Sequence, residues 1–457
     1  MELRQAMRPP ASAVTAAAYA AAVIAAALLF FSASAHAVPS FARQTGIACE
    51  GCHTVFPELT PFGRRFKLNG YLIDNLPQVK ALTPQSTEAL ALNWLPPLSV
   101  QFIGSYTRTK TALPDPGGGS SQNGSTQFPE QFSLFYAGKI APKLGGFVQV
   151  TYDNQSDSVG WDNTDIRFAD LASLGGRPVV WGITANNSPT VQDPWNSTSA
   201  WKYPFSQQSS LMPSPVAVTQ LDGLGNDKVA GLGLYGFFNN LVYAEFSAYG
   251  PAPHRLNGQP LNSQFANASV HGVAPYWRVA VEPQWGQSTF SIGALGFRDQ
   301  LTPGNSNVTT GPYDKFTDYA VDVQYQFIAE DHIVSLQGIY IHEKQDLAAS
   351  LAADPSQKLQ QFRVGGSYFY QRTVGGSLGV FHMSGTSNAT YAASSANSSP
   401  NSAGWQAEID YLPWQNVKLG LQYTAFTKFN GAGSNYDGTG RNASSNDTIY
   451  LFGWLAY

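Results

Sequence analysis

In the ten residues DYAVDVQYQF, numbered 318–327, apolar and polar side chains alternate almost without a break. Val321, Val323, Tyr325 and Phe327 fall on one face, with Asp322, Gln324 and Gln326 on the other. A period of two marks a strand whose faces meet unlike surroundings. GWQAEIDY repeats the pattern, with Trp405, Ala407, Ile409 and Tyr411 against Gln406, Glu408 and Asp410. NVKLGLQY sets Val417, Leu419, Leu421 and Tyr423 against Lys418 and Gln422. From about Pro97 onward, segments of roughly ten residues carry this alternation, as outer-membrane strands do. No helical pattern offers a second layer, so lipid is the better partner for the apolar face.

The links between these segments fix their number. Seven are short, near residues 142–145, 173–176, 238–240, 285–287, 330–332, 371–375 and 413–416. Eight longer ones alternate with them, around 108–130, 155–161, 187–226, 251–274, 298–316, 344–358, 385–402 and 428–445. The long links are rich in Ser, Asn, Gly and Pro, as solvated loops are; residues 213–222 read as part of the longest one. Strict alternation predicts an all-β barrel of about 16 strands, an even number, with both barrel ends on the short-turn, periplasmic side. Composition agrees. Charged residues make up 12% of the chain and aromatics 13%; the charged share is about half the usual one. The chain stops on DTIYLFGWLAY, where Ile449, Leu451, Leu455 and Tyr457 share a face. An aromatic last residue resembles the C-terminal signal by which outer-membrane barrels are recognised. A net charge of −4 implies no nucleic-acid partner.

Ahead of the strands, Arg4 and Arg8, the apolar run Ala13–Phe31 and the small-x-small site Ala35-His36-Ala37 predict a cleaved export signal over 1–37. Residues 38–96 then form a short segment of their own, and 97–457 the barrel.

That short segment holds both cysteines. Cys49-Glu50-Gly51-Cys52-His53 fits C-x-x-C-H, the attachment motif of c-type haem. Two thiols three residues apart reach the two vinyl groups of one porphyrin, and the adjacent imidazole ligates the iron. A structural disulfide, a redox C-x-x-C and half a zinc site are the competing readings; the last lacks further ligands nearby. Thr60-Pro61 predicts a helix start and Asn69-Gly70 its stop. Between them Phe62 and Phe66 share a face beside Arg64, Arg65 and Lys67, which suits either an ordinary amphipathic turn or a helix that covers a haem plane and meets its propionates. Between Thr54 and Leu211 there is no His or Met. A sixth iron ligand would therefore be absent, or come from Lys, Tyr, water or later residues: His254, His271, His332, His342, His382, Met212 or Met383. So small a segment cannot bury a haem alone. It needs a wall.

The run VPSFARQTGIACEGCHTVFPELTPFGRRFKLNGY closely resembles the N-terminal segment of the fused monohaem cytochrome–porins, outer-membrane iron oxidases of iron-oxidising bacteria. Phe41 to Gly46, the haem motif, Pro57, Phe62-Gly63-Arg64, Phe66-Lys67 and Gly70-Tyr71 carry the likeness. The resemblance implies one covalent haem c plugging the periplasmic side of the barrel, bound through Cys49 and Cys52 with His53 on the iron. Arg43, Phe62, Arg64 and Tyr71 would pack the haem or contact its propionates. It further implies an oxidoreductase passing single electrons from extracellular Fe(II), or another one-electron donor, to a periplasmic cytochrome. The alternative is a diffusion porin whose haem segment is a structural or sensory plug.

Overall fold

The computed structural model describes residues 39–457 except 55, 74–77, 80–91, 94–95, 114–122, 199–204, 206, 224–228, 252–254, 257–258, 261–267 and 304–310. The expected export signal lies outside the described residues.

Sixteen strands form the wall. They are β1 (Leu98–Thr109), β2 (Ser125–Ala141), β3 (Leu144–Asp153), β4 (Ser158–Leu174), β5 (Arg177–Asn186), β6 (Val229–Phe238), β7 (Val242–Pro251) and β8 (Ala274–Val281). The second half comprises β9 (Ser288–Pro303), β10 (Asp314–Ile328), β11 (His332–Leu347), β12 (Ser356–Tyr370), β13 (Val374–Gly385), β14 (Ser402–Trp414), β15 (Val417–Lys428) and β16 (Thr448–Ala456). Each pairs antiparallel with its chain neighbours, and β16 closes on β1 with Thr448 opposite Thr109 and Leu455 opposite Phe102. Short two- and three-residue strands sit at the loops, among them Ala268–Val270 against the end of β9. The links alternate between the two rims as expected, although the one expected to be long around 155–161 is a tight turn between Asp153 and Ser158, and residues 213–222 form no wall strand.

The pleat shows which face meets which solvent. On β14, Ile409 is 65% exposed while its neighbours Glu408 and Asp410 are 2% and 0% exposed. Val321 and Val323 likewise point out of β10, with Asp322, Gln324 and Gln326 buried inside. Apolar-out and polar-in is the reverse of a water-soluble protein and suits a wall in lipid with a polar lumen. All but the 8-residue β8 reach 9 to 17 residues, the length a spanning strand needs. Among the described residues no helix could cross a membrane.

The lumen is filled from both rims. At the short-turn rim sit three helices, α1 (Pro39–Thr45), α2 (Cys49–Cys52) and α3 (Pro61–Leu68). From the other rim, the link after β5 turns inward. It carries α4 (Pro189–Gln192) and α5 (Gln220–Gly223). This corrects the expectation that 187–226 is solvated, because Asp193, Asn196, Ser197 and Trp195 are all buried. The reason lies in the inner wall, whose carboxylates, guanidinia and carboxamides need partners once water is excluded. A loop rich in hydroxyls and amides supplies them. Arg278 faces Asp193, Gln337 donates to Trp195 O at 2.8 Å, Ser210 donates to Glu130, and Arg363 pairs with Asp222 at 2.9 Å.

Candidate functional site

The helix α3 starts and stops where the spacing predicts. The Thr60 side chain accepts a hydrogen bond from Gly63 N at 3.0 Å, Pro61 takes the first helical position, and Gly70 closes the helix at φ 71°. Thr60 Oγ1 also donates to Gly51 O at 2.7 Å, tying the helix cap to the cysteine motif. Gly63 is the close approach: a Cβ there would lie 2.2 Å from Cys52 O. Helix and motif are therefore packed as one body.

That body is fastened to the wall by buried charge. Arg64 is 1% exposed; it pairs with Glu282 at 2.7 Å and donates to Gln324 and Gln326 at 3.0 and 3.1 Å. Glu58, fully buried, accepts from Thr54 at 2.9 Å, Gln324 at 2.7 Å, Gln326 at 2.6 Å and Ser335. Burial pushes its carboxyl up to about 7, against the pull of these donors and of Arg64. Tyr71 donates to Asp165 at 2.6 Å. Lys67 donates to Val191 O, so the segment also touches the inward loop.

The motif faces a cavity of about 330 Å³ between segment, loop and wall. Cys49, Cys52 and His53 line it, with Phe41, Phe56 and Phe66 among the apolar surfaces. The two sulfurs are not bridged to each other, and burial with the neighbouring Cys49 pushes the Cys52 thiol up to about 11. Burial lowers the His53 imidazole to about 4, so it is neutral at physiological pH. Its Nδ1 lies 3.2 Å from both Pro57 O and Glu58 O, which sets the tautomer with the proton on Nδ1 and leaves Nε2 as a lone pair. Two thiols three residues apart, a neutral imidazole and aromatic cover on one cavity are a donor set that fits haem c. Among the described residues no group of three or more His, Cys, Asp or Glu is placed to hold a metal ion, so the zinc reading finds no partners there.

Of the remaining residues expected at the site, Phe62 and Tyr71 line the cavity, whereas Arg43 and Arg64 do not appear in its lining. Arg43 donates to Leu98 O at 2.5 Å and lies over the Tyr457 ring. The later histidines also lie elsewhere. His332 and His382 are exposed on the outer wall, His342 is half-buried in the same outward register, and His271 stacks on Tyr313. His254 is outside the described residues. Met212 and Met383 line a second cavity of about 350 Å³ between the loop and β11–β15. Sequence reasoning missed Glu58, Asn196 and Trp454 at the site; no local pattern marks them.

No protein-family model matches the chain, and no curated protein matches it. Solved structures resemble it in outline. The outer membrane channel DcaP of Acinetobacter baumannii is 11% identical, covering 79% of this chain and 96% of its own at a TM-score of 0.46. The anion-selective porin from Comamonas acidovorans is 12% identical, with 79% and 98% covered and a TM-score of 0.43. The trimer form of OmpT from Vibrio cholerae is 11% identical, with the same coverage and TM-score. Likeness of this degree says nothing about what the present chain binds.

Proposed function

We propose that the chain is an outer-membrane c-type cytochrome of the fused cytochrome–porin kind, carrying single electrons from an extracellular donor, Fe(II) foremost, to a periplasmic acceptor such as a cytochrome. The observation that supports this best is the position of the C-x-x-C-H motif: it lies inside the barrel, docked on the wall, and faces a 330 Å³ cavity closed from the far side by an inward loop. Haem attached at Cys49 and Cys52 supplies reversible one-electron chemistry. The chain's residues do the rest. His53 offers Nε2 to the iron because its other nitrogen is held by two carbonyls. Glu58, Arg64 and Tyr71 fix the segment so that reorganisation is small. The loop carrying Asp193 and Trp195 screens the cavity from bulk water. Both barrel ends and the segment share the short-turn rim, which we assign to the periplasm, where an acceptor docks. The donor would approach from the long-loop rim, so that an insoluble ferric product stays outside.

Stopped-flow mixing of the purified protein with Fe(II) tests this directly. Rapid conversion of the Soret band to its reduced form is expected. A haem that stays oxidised favours the second reading, a diffusion porin with a structural or sensory haem plug. What speaks for that reading is the polar inner wall together with the second cavity beside β11–β15. Attachment is checked separately: a Cys49→Ser, Cys52→Ser double variant loses all covalently retained, peroxidase-active pigment on denaturing gels. A wild-type product without that pigment removes the haem from both readings.

A further inference from the structure

Two buried hydrogen-bonding side chains line the haem cavity with nothing to bond. Trp454 on β16 is 9% exposed, and its indole Nε1–H has no partner. Asn196 on the inward loop is 3% exposed, and neither its Nδ2 nor its Oδ1 has one. Buried polar atoms are almost always paired, because an orphan has given up its bonds to water for nothing. Two of them on one cavity say what chemistry belongs in it.

Neither is held there loosely. The Trp454 ring lies 4.5 Å from Phe56, which lies 4.8 Å from His53. Asn196 ends the turn Asp193-Pro194-Trp195-Asn196, in the left-handed region at φ 53°. The Asp193 carboxylate accepts from Trp195 N and from Ser197 N, both at 2.9 Å, and Arg278 faces it at 3.5 Å. The Trp195 indole donates to Glu282 at 2.8 Å. A turn locked from three sides thus presents one amide to the cavity. Arg64 and Arg43 are absent from the lining, held by Glu282, Gln324 and Gln326 and by Leu98 O, while Lys67 borders the cavity with its ammonium engaged by Val191 O and Asp193 O.

We propose that Trp454 Nε1–H and Asn196 Nδ2–H₂ are the donors that hold the ionised propionates of the haem in this cavity. The proposal rests on the haem reading above and names the residues that position the group within it. A neutral donor on a propionate draws off negative charge that would otherwise favour Fe(III). Removing it lowers the midpoint potential.

The test uses the full-length holoprotein with Trp454→Phe, Asn196→Leu and Asn196→Ala, read by the propionate bending band in Soret-excited resonance Raman and by redox titration. Each variant is expected to keep its covalent haem, shift that band and lower the potential, and the Trp454→Phe, Asn196→Leu pair to do both further. Trp405→Phe on the lipid face leaves both signals in place. If Asn196→Leu fails to assemble, Trp454→Phe and Asn196→Ala carry the test. Haem-replete variants with unmoved band and potential overturn this proposal alone; a wild-type protein without haem overturns it together with the proposed function.

Discussion

Glu58 accepts hydrogen bonds from four side chains, every one of them a donor: Thr54, Ser335, Gln324 and Gln326. A glutamine there keeps the shape and sets its own NH₂ against them. With charge-assisted bonds worth roughly 1.5–3 kcal/mol, Glu58→Gln weakens docking of the segment by about 2 kcal/mol above pH 7, where the carboxyl is ionised, and by less below it. Faster proteolysis between residues 45 and 75 reads this out, while the heat-modifiable mobility of the barrel stays unchanged; equal cleavage of both proteins refutes it. At this scale only contiguous chemistry was legible. Cys49, Cys52 and His53 announce themselves because two thiols and an imidazole at fixed spacing serve few purposes. Glu58 and Trp454 carry no local mark, since Gln324, Gln326 and Ser335 lie 266 to 277 residues from Glu58 and Phe56 some 400 from Trp454. For Arg64, helical spacing sets only its place on α3; its pairing with Glu282, far along the chain, is not legible locally.

The helix α3 shows what an element adds. Its cap, its proline and its stop were readable from local chemistry, and so was the alternation of every wall strand quoted above. What could not be read is contact. Gly63→Ala would place a methyl 2.2 Å from Cys52 O, a backbone atom that cannot swing aside. Helix and motif must part at a cost of roughly 1–3 kcal/mol, and haem attachment should fall, measured as pigment per barrel on denaturing gels; full attachment would show the two are not coupled. Lys67 gives the same element a pH dependence. Burial, and then the nearby Arg167, push its ammonium down to about 8, against about 10.4 in the open chain. The docked segment therefore binds fewer protons between these values, and docking strengthens as pH rises from 8 to 10.4, by an amount on the order of 3 kcal/mol. Protease protection of residues 39–73 should increase over that window and lose the trend in Lys67→Met.

For the whole molecule, the barrel was legible because a lipid-facing wall inverts the usual burial at every second residue, and inversion leaves a mark in each strand. The filling of its lumen left none. A loop of Ser, Asn, Gly and Pro reads as solvated whether it waves above a rim or folds beneath it; only the closed wall, with Arg278, Asp322, Gln337 and Arg363 turned inward, makes the second choice favourable. The latch can be tested. Arg278 faces Asp193 on the loop at 3.5 Å and Asp322 on β10 at 2.6 Å, all three buried. Arg278→Met strands two carboxylates at once, and losing one partner of a buried pair costs about 3–5 kcal/mol. The loop escapes that cost by leaving the lumen, where its carboxylate finds water. Single-channel recording in planar bilayers should therefore show the wild-type chain nearly silent and Arg278→Met conducting several-fold more. Covalent haem content should be unchanged, because Cys49, Cys52 and His53 are anchored at the opposite rim, while the propionate band should shift as Asn196 leaves the cavity. A wild-type chain that conducts like an open barrel would mean the loop does not seal the lumen, and would shift the balance from electron carrier to diffusion porin.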